Sequence, residues 1–326
     1  MSASVCVLGQ GLAGSLLAWE LMRRGLPVEL RDCGAHRSSS VGAGIINPIT
    51  GQRLVASWRV GESLPVALRV YRELENTLGR RLVEPFRVWR TFATPRERET
   101  ALRKAAAGEL APYVTEVGEE GLWIEGAYRV DTRTLVEALG ERFRASGIVR
   151  EGTAAELRPD PDGGTIVIRA IGAGEVGLPE SARLGLRLAR GEILAVRSHR
   201  IRPGVILNRG HWVLPVDSGI ARVGATFEVD RADLAVTAAA REVLTESAVA
   251  QLGGPVEVAE QVAGLRVTTP DKRPVVGWLD SGRKLGLLNG LGSKGALLAP
   301  VLAAQWADHL AEGVAFDPAV DPARFR

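Results

Sequence analysis

The amino-acid sequence predicts an α/β fold in two domains, the first a dinucleotide-binding unit built on parallel strands. Three observations predict it. Residues 5–32 read as strand, glycine turn, helix and second strand. Residues 285–310 repeat the strand, glycine turn and helix start at the other end of the chain. The 326 residues, 46% of them hydrophobic, suit a globular protein too long for a single core.

The first stretch carries the most information. Val5 to Leu8 is a short apolar run rich in valine, the pattern of a buried parallel strand. It breaks at Gly9-Gln-Gly11-Leu12-Ala13-Gly14. Leu12, Leu16, Leu17, Leu21 and Met22 then recur at helical spacing until Gly25. Gly9 lets the chain turn, Gly11 lets a pyrophosphate approach the backbone, and Gly14 lets helix and strand pack closely. The N–H groups at the helix start favour phosphate. A chain with 38 glycines can produce this spacing by chance, but the strand before it and the helix after it are what the motif demands. Val28 to Arg31 forms the next strand and ends in Asp32, a carboxylate suited to a ribose hydroxyl pair.

Residues 33–51 hold Ser38, Ser39 and Ser40, then Gly42-Ala43-Gly44-Ile45, and read as a cofactor loop. Ile45, Ile46 and Ile49 are too apolar for a solvated linker. Helices are expected over 64–78, 96–107, 131–145 (capped by Asp131) and 238–252. Strands are expected over 83–92, 123–130, 148–157 and 165–171, and over 193–196, 212–215 and 221–227 in a second sheet. Near the C-terminus, Gly264-Leu-Arg266 precedes a strand over 285–288. Asn289-Gly290-Leu-Gly292-Ser293-Lys294-Gly295 follows, with a helix from Ala296. A glycine-rich helix start of this kind can donate N–H groups to an electron-rich carbonyl.

Composition narrows the function. Two cysteines, Cys6 and Cys33, make no disulfide framework, and four scattered histidines make no metal pattern. A net charge of +3 spread along the chain neither requires nor excludes nucleic acid. No basic leader with an apolar core and no apolar run of about 18 residues is present, so a cytoplasmic protein without membrane attachment is expected.

These pieces together resemble the D-amino-acid-oxidase-like family of FAD-dependent oxidoreductases. The motifs that carry the resemblance are Gly9/Gly11/Gly14, Asp32, the Ser39 to Gly44 loop, Gly264-Leu-Arg266, and Gly290 to Pro300. The most similar branches are the glycine oxidases and the oxidoreductase domain of a bifunctional enzyme that modifies tRNA wobble uridine. The resemblance implies a Rossmann-like FAD-binding domain of the glutathione-reductase type over 1–80, 131–178 and 256–326. A smaller substrate domain, with a mixed and mostly antiparallel sheet, takes 81–130 and 179–255. Its cofactor-binding set is Gly9, Gly11, Leu12, Ala13, Gly14, Asp32, Ser39, Ser40, Ala43, Gly44, Ile45, Thr153, Gly172, Gly264, Arg266, Gly290, Gly292, Ser293, Lys294, Gly295 and Ala296.

The implied reaction is oxidation of a C–N bond in a small amine or amino acid by hydride transfer to flavin N5, the flavin carrying the chemistry. Arg266 stands where the family holds a substrate carboxylate, and a planar guanidinium suits that role. Trp212 stands where glycine oxidase has a substrate-facing tyrosine. Lys294 would face the reduced flavin or an anionic substrate. No cysteine or histidine falls just before Thr269-Pro270-Asp271, where the sarcosine-oxidase branch carries its covalent attachment, so the FAD is expected to be non-covalent. Two alternatives stay open: a tRNA-modifying oxidoreductase, which is not favoured, and a flavoprotein subunit without turnover. No metal is expected.

Overall fold

The computed structural model describes residues 4–32, 38–151 and 165–325. In chain order the elements begin with β1 (Val5–Leu8), α1 (Leu12–Arg23), β2 (Val28–Asp32), α2 (Ser38–Val41), β3 (Ile45–Ile46), β4 (Ile49–Thr50), β5 (Val55–Ala56), α3 (Val60–Leu78) and β6 (Val83–Thr91). The middle of the chain forms α4 (Pro95–Ala106), β7 (Val114–Val117), β8 (Gly121–Val130), α5 (Thr132–Ala145), β9 (Val149–Glu151) and β10 (Ile166–Arg169). The last third forms β11 (Arg187–Arg197), β12 (Val205–Arg209), β13 (His211–Asp217), β14 (Ile220–Gly224), β15 (Glu228–Val229), α6 (Ala238–Leu252), β16 (Glu257–Thr268), β17 (Val275–Trp278), β18 (Leu285–Asn289) and α7 (Gly295–Glu312).

Two sheets organise these elements. The first has six strands in the order β17-β18-β10-β1-β2-β9, parallel except for β17. β2 lies on one side of β1 and β10 on the other, so the strand order reverses at the C-terminal end of β1. In doubly wound sheets that is where a ligand crevice opens. The second sheet has ten strands, β15-β11-β14-β13-β12-β6-β8-β3, with β16 beside β11 and β7 beside β8. Its pairs are antiparallel except β12 with β6. β3 and β16 are members of this sheet, although the expected segments 1–80 and 256–326 belong with the first.

The main core lies between the parallel sheet and its helices. Leu16, Leu17 and Leu21 of α1 meet Leu302, Ala303 and Trp306 of α7 and Tyr71 and Leu74 of α3 in one fully covered cluster. Burying each such side chain contributes about 1.5–3 kcal/mol. Two caps fix helix starts: Asp131, as expected, accepts from Thr134 N at 3.1 Å, and Thr94, which was not expected as a cap, accepts from Glu97 N at 3.2 Å.

Several expectations need correction. Of the expected loop over 33–51, residues 33–37 lie outside the described residues and the rest is not one loop but α2, β3 and β4. Helix α3 begins at Val60, a turn before the expected start, and carries Pro65 inside it. The expected strand over 221–227 ends at Gly224. β12 and β16 were not expected as strands. Most of the 148–157 segment lies outside the described residues.

Candidate active site

The crevice at the end of β1 opens into a cavity of about 620 Å³ between the two sheets. Its floor is the glycine turn. Gly9 has φ +99°, open to glycine and strained for other residues, and a Cβ there would sit 2.7 Å from Ala170 O. A Cβ on Gly14 would overlap the Gly9 carbonyl, so only glycine lets α1 lie this close to β1. α1 and α7 both start at the cavity with no side-chain hydrogen bond from their N-cap residues, Gly11 and Lys294, and no acidic residue in the first turn. Ser39 Oγ, from α2, accepts Leu12 N at 2.9 Å. Asp32 also lines the cavity and accepts Gln10 N at 3.1 Å.

Neighbouring groups brace this floor. Thr132 Oγ1 donates to Ser39 O at 2.6 Å and Ser38 Oγ to Leu265 O at 2.6 Å, tying α2 to α5 and β16. Arg222 reaches from the second sheet to Gly42 O at 2.9 Å and also to Val41 O. Burial, reinforced by Arg133, pushes its guanidinium down to about 10. Asn289 Nδ2 donates to Gly172 O at 3.0 Å, and the buried Tyr71 hydroxyl donates to Ala296 O at 2.7 Å, which fixes the start of α7.

The second sheet forms the roof. Arg266 lies on β16 and lines the cavity. A Cβ on Gly191 of β11 would come within 2.5 Å of its Nη1, so the absence of one lets the guanidinium lie across that strand. Its single hydrogen bond, to Thr226 O, is long at 3.5 Å, and no carboxylate among the described residues pairs with it. Burial lowers its pKa from the ordinary value. Thr226 is itself held: its Oγ1 accepts Glu192 N at 2.9 Å. Glu192 is fully buried against Arg190 at 2.9 Å. Burial alone would raise its carboxyl, but hydrogen bonds from Thr237, Gln261 and Arg190 outweigh it and hold the group below the usual range. Trp212 also lines the cavity, and Gly224 leaves room for its indole, since a Cβ there would lie 2.7 Å from the ring. Lys294 faces the same space without a side-chain partner among the described residues, and burial lowers its pKa.

Most of the expected residues converge here. Gly9, Gly11, Leu12, Ala13, Asp32 and Ser39 line the floor. Ala43, Gly44, Ile45 and Gly172 line its sides. Gly292, Ser293, Lys294, Gly295 and Ala296 line the α7 end, with Arg266 and Trp212 above. Four do not line the cavity. Gly14 packs α1 on β1; Ser40 accepts Arg133 Nε through its carbonyl at 3.2 Å; Gly264 faces Val41; and Gly290, at φ +72°, makes the turn after β18. Thr153 lies outside the described residues. The sequence reading missed Arg90, Asn208 and Thr50, which line the cavity on the side of the second sheet. Arg90 and Asn208 carry no motif and meet only through strand register, while Thr50 sits on β4, within the stretch read as a cofactor loop. No group of residues suited to a metal ion occurs among the described residues.

A cradle that excludes Cβ atoms, two helix starts without acidic residues and a carboxylate at the end of β2 together fit a flavin dinucleotide. The sequence model of the FAD-dependent oxidoreductase (DAO) family matches residues 4–309. The chain belongs to that family. This flavoenzyme is 30% identical to a Rhizobium etli oxidoreductase named for thiamine biosynthesis, ThiO, over 94% of this chain and 96% of that one. It is 27% identical to the bifunctional tRNA 5-methylaminomethyl-2-thiouridine biosynthesis protein MnmC of Azoarcus sp., covering 98% of this chain but 59% of that protein's length. The crystal structure of glycine oxidase from Geobacillus kaustophilus superposes with a TM-score of 0.79 at 22% identity, covering 97% of this chain and 96% of that one. As an enzyme of this family the chain is an FAD-dependent oxidoreductase, and none of its described helices is long and apolar enough to cross a membrane.

Proposed function

We propose that this enzyme oxidises a C–N bond in a small carboxylated amine or amino acid, with Arg266 clamping the carboxylate. The observation that carries this reading is the Arg266 guanidinium: half-buried, facing the cavity, and without a carboxylate partner among the described residues. A buried cation without a counter-ion costs free energy unless a ligand supplies one. Bidentate binding fixes the orientation of the α-carbon. FAD, when bound, supplies the hydride acceptor. It is held non-covalently in this reading, with its pyrophosphate at the start of α1 and a ribose on Asp32. The FAD domain follows the parallel sheet and the substrate domain the ten-stranded one, with β3 and β16 crossing the expected segment limits.

The test is the visible spectrum of the purified protein, followed by anaerobic addition of glycine, sarcosine and D-amino acids. A yellow protein bleached by one of these supports the reading. A yellow protein bleached by neutral amines but by no carboxylated one removes the role given to Arg266. Denaturation should release the flavin into solution; flavin that stays with the chain refutes non-covalent binding.

A further inference from the structure

Strand register lays one row of side chains across the roof. Ile193 of β11 pairs with Gly224 of β14, Gly224 with Trp212 of β13, Trp212 with Asn208 of β12, and Asn208 with Arg90 of β6. Residues in register share a face of the sheet, and all four side chains line the cavity. Arg266 lies on the same face, because it pairs with Ala189, four residues before Ile193. The roof therefore runs from a cation at one end, past an indole, to a polar group at the other.

That far end is underused by the protein. Arg90 spends Nε, at 3.0 Å, and Nη2 on one oxygen of Glu97. Its Nη1 has no partner among the described residues. Neither the amide of Asn208 nor the hydroxyl of Thr50 has one either, and both line the cavity; Ile49, next to Thr50 on β4, shares a buried cluster with Val88 of β6 and Ile206 of β12, which brings β4 to this end. Polar groups in a partly buried cavity are costly when left unpaired, so these three are suited to a ligand. Glu97 balances the Arg90 charge, so a second carboxylate would meet a neutral site with an acidic neighbour. An uncharged acceptor meets free donors there.

We propose that Arg90, Asn208 and Thr50 form a second substrate subsite that binds an amide-type carbonyl, and that the substrate is an elongated amino acid with its carboxylate on Arg266. The proposal rests on the carboxylate role given to Arg266. Its guanidinium lies at Gly191 of β11, two residues or about 7 Å along the strand from Ile193, and three strand steps of about 4.8 Å separate β11 from β12, so the two ends are on the order of 16 Å apart. Glycine spans a small part of that distance. Trp212 lies between the ends and suits an apolar or flat middle segment.

The test titrates the FAD-loaded protein with carboxylates and follows the flavin absorbance, which needs no turnover. Acetate probes the carboxylate end of the cavity without reaching the second subsite. Adipamic and suberamic acids carry a carboxylate and a terminal amide, while hexanoic and octanoic acids match their lengths with a methyl end. The amide-ended acids should bind about tenfold more tightly than their methyl-ended partners. Asn208→Leu and Thr50→Val, which leave the Arg90–Glu97 pair intact, should each erase most of that preference and leave acetate unchanged. Equal binding of the two series, or a preference that survives both substitutions, overturns the subsite. Tighter binding of adipate and suberate than of the amido acids would overturn its uncharged character. Acetate affinity that ignores Arg266→Ala strikes the clamp and not the second subsite, so the two failures are distinguishable.

Discussion

Gly191 matters because of what its missing side chain allows. Gly191→Ala puts a methyl group 2.5 Å from the Arg266 guanidinium and 2.6 Å from Thr226 O, so the guanidinium must swing away and the Thr226 backbone must shift. KM for the amine should rise about tenfold while the FAD content stays constant. Arg266→Ala removes two charge-assisted hydrogen bonds worth about 1.5–3 kcal/mol each, so KM should rise on the order of a hundredfold or more, again with FAD retained. Unchanged kinetics would end that assignment. Lys294 gives a pH prediction. Burial holds its ammonium below the ordinary 10.5, so it loses its charge earlier than an exposed lysine as pH rises. Affinity for acetate should fall through that alkaline window, and Lys294→Met should flatten the fall. The sign for stability is opposite to that of a paired lysine. The folded state bears the cost of the charged form below its own pKa, so Lys294→Met should raise the urea midpoint at neutral pH.

The contact between α1 and β1 depends on glycine at a single point. Gly14→Ala drives a Cβ into the Gly9 carbonyl and should cost about 3 kcal/mol, read as a lower urea midpoint together with lost flavin. Asp32→Ala should leave the fold intact and release FAD on dialysis; a protein that stays yellow would show that the ribose is held elsewhere. Elements with strong periodicity or caps were legible in the sequence. α1, α4, α5, α6 and α7 lie within one or two residues of expectation, because residue spacing and the cap at Asp131 act locally. β16 was not legible. Its face is only partly buried, and Gly264 within it reads as a turn, whereas the strand exists because it pairs along the whole length of β11. Helix α3 starts a turn early because Val60 and Ser63 are buried on the same side as Leu64 and Ala67, and this holds the helix although Pro65, its sixth residue, removes one i→i−4 hydrogen bond. The floor of the site follows from local motifs. The roof residues Arg90, Asn208 and Trp212 come from three strands, and their meeting follows only from register.

Across the whole molecule the charge is balanced, with a net value of +3 and many arginines committed to ion pairs such as Arg90–Glu97, Arg169–Glu175 and Arg190–Glu192. Binding to a polyanion falls steeply with salt, because counter-ions are released. Turnover of a small amino acid should instead change little with ionic strength, and a steep fall would revive a tRNA substrate. The two sheets meet at the cavity, and Arg222 ties the roof to the loop at Val41 and Gly42. The floor itself joins distant parts of the chain: β1 from the first ten residues, β10 from the middle, and the start of α7 at Gly295. β10 lies between β1 and β18, so the cleft is incomplete until the segment from Leu285 onward has folded against β10. On the ribosome the nascent chain therefore displays its glycine motif long before it can retain a flavin. Nascent chains arrested before residue 285 should emerge colourless, and the yellow colour should arrive only with the final helix.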